Sequence, residues 1–401
     1  MSVAEPPNGT ADDTEPTPAA EAADDRPPIA GGAAGGGSGD GRAVDRRAAV
    51  GGGVAGDGVM GGAGAGERGR SVRRRRVRWV AWGLVVVPVG WAVVRGTGLE
   101  RGSMVTSVIT LTPYAALGAA LLGVLLLVAR RRAQGVVVLL ACAVLVSCVL
   151  PRALSDASAS SGTAAAPTGD AATRGRAEGT PLRVLALNVM YGQADPRAVV
   201  ELVRKYRPEV FSALELTPEM VTALDAAGLA ELMPYRVLQA AAGASGSGLF
   251  AARPLAPREG LFTPVGHNMP AATLTLAPGV PVEVVAVHPF TPLGRRLREW
   301  KDGLAALPSA SPQVVRVLAG DFNASLDHRA LRDVLARGYL DAADQAGKGL
   351  TPTWPANRDI PPMITIDHIL ADRSVTVRQV EILDVPGTDH RGVFADLRLP
   401  A

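Results

Sequence analysis

The C-terminal half of the chain alternates short apolar runs with amphipathic stretches, a pattern typical of an α/β fold. The apolar runs have the length and the branched side chains of buried strands; the clearest are Leu182–Val189, Val210–Leu214, Val282–Val287 and Val315–Ala319. Between the first two, Arg197–Tyr206 carries apolar residues at helical spacing. Two parallel strands joined by a helix bring their carboxyl ends to one edge of a sheet. We therefore predict sheets covered by helices over residues 181–401.

The N-terminal segment lacks any such periodic pattern. Residues 1–72 consist mainly of small, acidic and Pro residues and contain no aromatic side chain. A segment of this composition cannot bury enough apolar surface to offset the entropy that it loses on ordering. We predict that it is disordered.

Three apolar runs then indicate a membrane region over residues 73–150. They extend over about residues 79–94, 104–129 and 133–150. Crossing a hydrocarbon core of ~30 Å takes about 20 helical residues, so the middle run is long enough. The first run is short and contains Pro88, and a secretory signal peptide is the alternative for it. The two later runs favour three transmembrane helices.

Arginine clusters predict the orientation of this region. Arg73–Arg76 precede the first run, and Arg130–Arg132 separate the second from the third. Because basic residues stay on the cytoplasmic side, three spans place the C-terminal domain outside the cell, in a multi-pass protein of the cell membrane. If the run 79–94 does not span, the domain lies in the cytoplasm. A nucleic-acid patch is the other interpretation of the first cluster.

Charge and cysteine content narrow the possibilities further. Residues 151–180 are rich in Ser, Ala, Thr and Gly and predict a flexible linker. Residues 183–398 carry 22 Lys/Arg against 23 Asp/Glu, which speaks against tight non-specific duplex binding. The two cysteines, Cys142 and Cys148, share one apolar run, which excludes a disulfide framework and a cysteine-based metal site.

Polar side chains follow most of the predicted strands in the C-terminal domain. The run Val315–Ala319 stops at Gly320, after which Asp321 and Asn323 share one side of the chain. Other strand ends carry Asn188, Glu215, His288, Asp367, Asp389 and His390. Taken singly, such residues are ordinary turn or capping residues. Together, carboxylates, amides and imidazoles without thiolates suit a hard cation such as Mg²⁺ or Mn²⁺.

In this order, the residues resemble the endonuclease/exonuclease/phosphatase superfamily, which has the DNase I-like fold. The resemblance covers residues 181–401 and rests on Gly-Asp-Phe-Asn at 320–323, Ile-Asp-His-Ile at 366–369 and Asp-His at 389–390. Leu214 stands where many members have Gln, and Thr388 where Ser usually precedes Asp-His. The resemblance implies a four-layer α/β sandwich, with two mixed β-sheets face to face and flanked by helices.

The resemblance also implies metal-dependent hydrolysis of phosphoesters and a role for each candidate residue. Glu215, Asn188 and Asp389 would lie at the Mg²⁺ or Mn²⁺ ion. Asp321 would orient or deprotonate the attacking water, and Asn323 would hold the phosphoryl oxygens.

The histidines would complete such a site. His390, oriented by Asp367, would contact the scissile phosphate, and His288 would bind it or protonate the leaving oxygen. We therefore expect a membrane-anchored phosphoesterase that acts on nucleic acid, a phospholipid head group or another phosphoester. Its partner is the lipid bilayer, and no obligate protein partner is indicated. A catalytically silent, membrane-anchored binding module with the same fold is the alternative.

Overall fold

Within the described residues, four helices precede the domain, and they coincide with the apolar runs of the sequence. The computed structural model describes residues 63–154, 179–276 and 279–400. The four helices are α1 (Ala63–Thr97), α2 (Ser103–Ile109), α3 (Thr112–Val128) and α4 (Arg132–Val149). Residues 63–72, predicted as disordered, thus belong to helix α1. The rest of that predicted segment and most of the predicted linker lie outside the described residues.

The middle apolar run differs from the prediction of one continuous helix over 104–129. Helices α2 and α3 are bent by 76° relative to each other across Thr110–Leu111. Pro113 lies in the first turn of α3; it has no N–H to continue the preceding helix, and its ring clashes with a carbonyl four residues earlier. The break leaves α3 with 17 residues, about 25 Å of helix.

The membrane prediction can be compared with these helices by length and composition alone. Two segments are long and apolar enough to cross a membrane, Trp79–Thr97 and Arg132–Ala153, and the bent pair supplies a third if it counts as one span. Helix α1 continues through Pro88. Gly123 of α3 and Gly135 of α4 leave room for Leu139 and Leu127 from the facing helix, so these two helices pack closely.

The domain consists of two six-stranded sheets. The first has the order β11-β12-β1-β2-β4-β3 and the bounds β1 Pro181–Asn188, β2 Val210–Leu214, β3 Tyr235–Gln239, β4 Ser247–Ala251, β11 Thr376–Leu383 and β12 Gly392–Arg398. The second has the order β5-β6-β7-β8-β10-β9 and the bounds β5 Leu255–Pro257, β6 Ala271–Thr275, β7 Pro281–Val287, β8 Val315–Asp321, β9 Tyr339–Asp341 and β10 Asp367–Asp372. Only β1–β2 and β7–β8 pair in parallel among the described strands.

Helices cover the outer faces of both sheets. The first sheet is covered by α5 (Pro196–Tyr206), α6 (Pro218–Ala226) and α7 (Leu229–Leu232), and the second by α8 (Leu297–Ala306) and α9 (Arg329–Ala336); a short α10 (Ala342–Gln345) follows β9. One apolar core lies between the sheets and one under each helical layer. This arrangement confirms an α/β sandwich of two mixed sheets flanked by helices.

Strand register brings the candidate residues to one edge of the sandwich. Asp367 of β10 lies directly opposite Asp321 of β8. Asn188 of β1 lies opposite Leu214 of β2, so Glu215 follows at the same edge. The same edge carries the ends of β7 and β12 that bear His288, Asp389 and His390.

Candidate active site

Asp321 lies at the centre of the site, buried at the end of β8. Its Oδ2 accepts a hydrogen bond of 3.1 Å from Asn188 Nδ2, which also donates to Glu215 Oε1 at 3.0 Å. The strand can present Asp321 here because Gly320 precedes it: a Cβ at Gly320 would lie 2.2 Å from the carbonyl oxygen of Val287. Only glycine therefore lets β8 approach β7 at this point.

Glu215 turns into the site from a left-handed backbone conformation, with φ of 55°. Besides Asn188, its carboxylate accepts a hydrogen bond from the backbone N–H of Tyr191 at 2.9 Å. Burial raises the pKa of Glu215 above its usual value. The amide of Asn188 thus joins the partly exposed carboxyl group of Glu215 to the buried carboxyl group of Asp321.

His390 and Asp367 form a hydrogen-bonded pair across the two sheets. His390 Nδ1 lies 3.0 and 3.1 Å from the two carboxylate oxygens of Asp367. Its Nε2 lies 3.8 Å from Asp321 Oδ2 and 3.9 Å from Asp389 Oδ1. Burial alone would lower the pKa of His390, but the carboxylates of Asp367 and Asp321 outweigh it and raise the pKa to about 10. His390 is therefore an imidazolium at neutral pH.

His288 differs from His390 in its charge. Its Nε2 lies 3.8 Å from both Glu215 Oε1 and Asp321 Oδ2. Burial and then the neighbouring His267 hold the pKa of His288 well below its usual value, so the ring is neutral. The two Nδ1 atoms of His288 and His267 are 3.1 Å apart, so one ring donates to the other. Sequence reasoning assigned no role to His267, because its loop lacks periodicity.

Asp389 is held by two residues that sequence reasoning missed. Its Oδ2 accepts hydrogen bonds from Arg358 Nη2 at 2.9 Å and from Trp354 Nε1 at 3.3 Å. Both donors lie in the long loop before β10, where neither spacing nor neighbours point to the site. The one available signal was an aromatic side chain in a Pro-rich loop shortly before the Ile-Asp-His-Ile motif.

Comparison with protein families bears directly on this constellation. Residues 185–390 match the family described as the Endonuclease/Exonuclease/phosphatase family. The chain belongs to this family. The match confirms the resemblance drawn from the sequence, and members of the family hydrolyse phosphoester bonds.

Solved structures of family members and other proteins are similar to about half of this chain. An endonuclease/exonuclease/phosphatase from Beutenbergia cavernae is 20% identical with a TM-score of 0.43, covering 55% of this chain and 72% of that one. D. rerio TDP2 complexed with single strand DNA product is 18% identical with a TM-score of 0.44, covering 54% and 99%. A 3′ phosphatase from Neisseria bound to product DNA hairpin is 18% identical with a TM-score of 0.43, covering 53% and 98%. A search of curated proteins gave no match.

Two further residues of the sequence motifs, Asn323 and His368, lie in different surroundings. Asn323 has a φ of 48°; its N–H donates to Asp321 Oδ1 at 2.8 Å and its Nδ2 donates to the carbonyl of Pro289 at 3.1 Å. His368 faces away from the site and contacts Asp341 and the carbonyl of Ala324. Asn323 therefore lies beside Asp321 at the edge of the candidate site, whereas His368 lies outside the site and contacts β9 and the segment after β8.

The donor set fits the divalent cation that the family implies. Ligand-type atoms of Asp321, Asp367 and His390 lie within 4.8 Å of one another, and while His390 is protonated the two carboxylates are the groups among them that can bind a cation. Four carboxylates, including those of Glu215 and Asp389, surround one imidazolium, so negative charge is in excess. Burial first, opposed by His390, raises the pKa of Asp321 to about 7. A hard cation would offset the excess negative charge.

The predicted metal residues differ in what they present to such a cation. Glu215 and Asp389 present carboxylate oxygens. Asn188 presents Nδ2 to Glu215 and Asp321, while its Oδ1 accepts the N–H of Met190 at 2.9 Å. In this arrangement Asn188 holds the carboxylates in place rather than offering an oxygen.

Proposed function

We propose that this chain is a membrane-anchored, divalent-metal-dependent phosphoesterase whose catalytic domain lies outside the cell. The observation that carries the proposal is the convergence of Asp321, Glu215 and Asp389 with the His390–Asp367 pair at one edge of the sandwich. A phosphoester is an anion, and its hydrolysis requires positive charge at the phosphoryl oxygens and an aligned water. The site supplies a buried imidazolium and carboxylates able to hold a cation.

Glu215 and Asp389 would hold the cation, with Asn188 beside them. Bound Mg²⁺ or Mn²⁺ supplies positive charge at the phosphoryl group. The Asn188 amide fixes the distance between Glu215 and Asp321, and Arg358 with Trp354 fixes one oxygen of Asp389.

Asp321 and His390 would perform the proton and charge chemistry. A carboxyl with a pKa of about 7 exchanges its proton near neutral pH, which suits Asp321 as the base that receives a proton from the attacking water. The Nε2–H of His390 would donate to a phosphoryl oxygen, with Asp367 holding the ring. Neutral His288 would donate a hydrogen bond to the leaving oxygen, and Asn323 would bind a phosphoryl oxygen.

The location outside the cell is inferred from helix α4. The Arg130–Arg132 turn precedes this helix, and the domain follows its other end. If basic residues stay on the cytoplasmic side and all three runs span, the domain is outside; if the run 79–94 does not span, the domain lies in the cytoplasm.

A panel assay tests the proposal. Purified full-length protein is expected to hydrolyse at least one phosphoester among oligonucleotides, phospholipids and small phosphomonoesters, and EDTA should abolish the activity. Asp321→Asn should lower the rate by about 10²- to 10⁴-fold. Asp333→Asn, which changes an exposed carboxylate on α9 that pairs with Arg329, is the matched control. Metal-dependent ligand binding without any hydrolysis would favour the silent binding module instead.

A further inference from the structure

A buried ion cluster joins the helices to the catalytic domain. Asp327, only 1% exposed, follows the catalytic Gly-Asp-Phe-Asn sequence by four residues. It accepts a hydrogen bond from Arg95 Nε at 2.8 Å and two from the guanidinium of Arg152 at 2.7 and 3.0 Å. Arg95 lies near the end of α1, and Arg152 follows α4. One carboxylate of the domain thus holds two helices.

Further contacts come from the same end of the helices. The ring of His328 lies 2.8 Å from the carbonyl of Thr106 in α2. Glu100, in the turn after α1, accepts the backbone N–H of Arg329 at 2.7 Å. The Tyr114 hydroxyl, at the start of α3, donates to the carbonyl of Met363 at 3.0 Å. All these groups lie at the helix ends opposite the Arg130–Arg132 turn.

The docked edge of the domain is its catalytic edge. The segment Leu326–Arg329 begins five residues after the end of β8, and the four residue steps from Asn323 to Asp327 span at most about 14 Å. A second series of hydrogen bonds links the site to the helices. It begins at Asp389, which accepts a hydrogen bond from the indole of Trp354 at 3.3 Å. The carbonyl of Trp354 accepts the N–H of Met363 at 3.0 Å, and Met363 contacts Tyr114. The site therefore lies close to the membrane end of the helices.

The loop between the site and the helices exposes apolar side chains. We call residues 357–363 the rim loop. Its Arg358 contacts Asp389, while Ile360 is 54% and Met363 is 39% exposed, separated by Pro361 and Pro362. Exposed apolar side chains beside the positively charged Arg358 suit the boundary between lipid head groups and acyl chains, where apolar and charged groups both find partners.

We propose that the site acts on a phosphoester carried by a membrane lipid, and that the rim loop enters the bilayer surface beside the lipid. This inference rests on the proposed phosphoesterase function. Water supplies the oxygen of the new P–O bond and passes one proton to Asp321, which releases it to solvent. The P–O bond to the leaving oxygen breaks, and the leaving oxygen takes one proton from solvent, so one water is consumed overall. Because the catalytic edge lies beside the helix ends that the domain contacts, a lipid phosphoester next to those helices would reach the site without leaving the bilayer. A nucleic acid would have to enter between the domain and the membrane.

The test compares a bilayer-borne with a soluble substrate. Full-length protein is reconstituted with Mg²⁺ in phosphatidylcholine vesicles that contain phosphatidic acid and phosphatidylglycerol, which offer a monoester and a diester. The soluble probes are glycerol phosphate, glycerophosphoglycerol and a single-stranded oligonucleotide. We expect faster hydrolysis of a vesicle lipid than of any soluble probe.

The rim loop is tested by Ile360→Asp. This change should lower the rate on the vesicle lipid by about 10-fold or more, because a charge replaces an apolar side chain at the bilayer, and it should leave the rate on soluble probes within about twofold. Tyr235→Asp is the matched control: Tyr235 is also exposed, at 42%, but lies at the start of β3, at the opposite edge of the sandwich, and both rates should stay unchanged.

The outcomes separate this inference from the function on which it rests. Preference for a soluble probe, or an Ile360→Asp rate that falls equally on soluble and vesicle substrates, would overturn the lipid proposal and leave the phosphoesterase function standing. Hydrolysis of neither kind of substrate would overturn both.

Discussion

Replacing Asp327 with Asn removes the charge that joins the helices to the catalytic domain while nearly preserving its shape. The side chains of Arg95 and Arg152 are 9% and 7% exposed, so both guanidinium groups would stay buried without a carboxylate. Breaking a buried ion pair by removing one partner costs about 3–5 kcal/mol. Because the Asn side chain still accepts one hydrogen bond, we expect the lower end, about 3 kcal/mol.

Amide hydrogen exchange measures this loss of stability in the segment that contains Asp327. The amides of Phe322–Arg329 should exchange about 100-fold faster in the variant, since local opening becomes easier by roughly 3 kcal/mol. The turnover number should fall as well, because Asn323 lies in the same segment. Amides of α5, on the other sheet, should keep their wild-type rates.

The exposed pair Arg329–Asp333 provides a matched control. Its atoms are 2.6 Å apart, but its side chains are 54% and 56% exposed, so solvent screens the pair and its contribution to stability is small. Asp333→Asn should therefore leave exchange in Phe322–Arg329 unchanged. Wild-type exchange in Asp327→Asn would refute the claim that buried charge fixes the catalytic segment on the helices.

Three further predictions follow from individual residues of the site and of the contact with the helices. Glu215→Gln should lower activity by several orders of magnitude, with partial recovery at high Mg²⁺ concentration; an undiminished rate in a Mg²⁺ titration would argue against Glu215 as a ligand. Asp367→Asn should cost 10²-fold or more in turnover, and the double variant with His390→Ala should be little worse than His390→Ala alone, whereas additive losses would mean that the two residues act independently. Burial lowers the pKa of His328 from 6.5 to about 4, so the unfolded state binds a proton more readily than the folded state. Stability should therefore be lost as the pH falls from about 6.5 to 4, by about 3 kcal/mol at most, and thermal melts measure this loss. The variant His328→Gln should show a weaker dependence of the melting temperature on pH.

Much of the catalytic domain could be predicted because its signals are local. Apolar runs marked β2 and β8 to within about two residues of their ends. The rule for parallel strands brought Asn188 and Glu215 to one edge, where they are 3.0 Å apart. Each of these inferences needs only a short stretch of chain and a general rule of sheet geometry.

The features that could not be predicted depend on distant contacts. Arg95 and Asp327 are separated by 232 positions, and nothing near either residue indicates the other. Arg358 and His267 lie in loops whose conformation is set by the strands around them. The bend between α2 and α3 is a different case, because Pro113 is a local sequence signal for a break in a helix.

The central claim is that the Asp321 site hydrolyses phosphoesters, and oxygen-isotope transfer tests it most directly. Full-length wild-type protein with Mg²⁺ is incubated in ¹⁸O-labelled water with the best substrate of the panel, beside an Asp321→Asn preparation of equal thermal stability. We predict that the wild type places one ¹⁸O atom on the phosphorus of each product and that Asp321→Asn does so about 10³-fold more slowly. Equal rates of ¹⁸O incorporation by the two proteins would contradict the account.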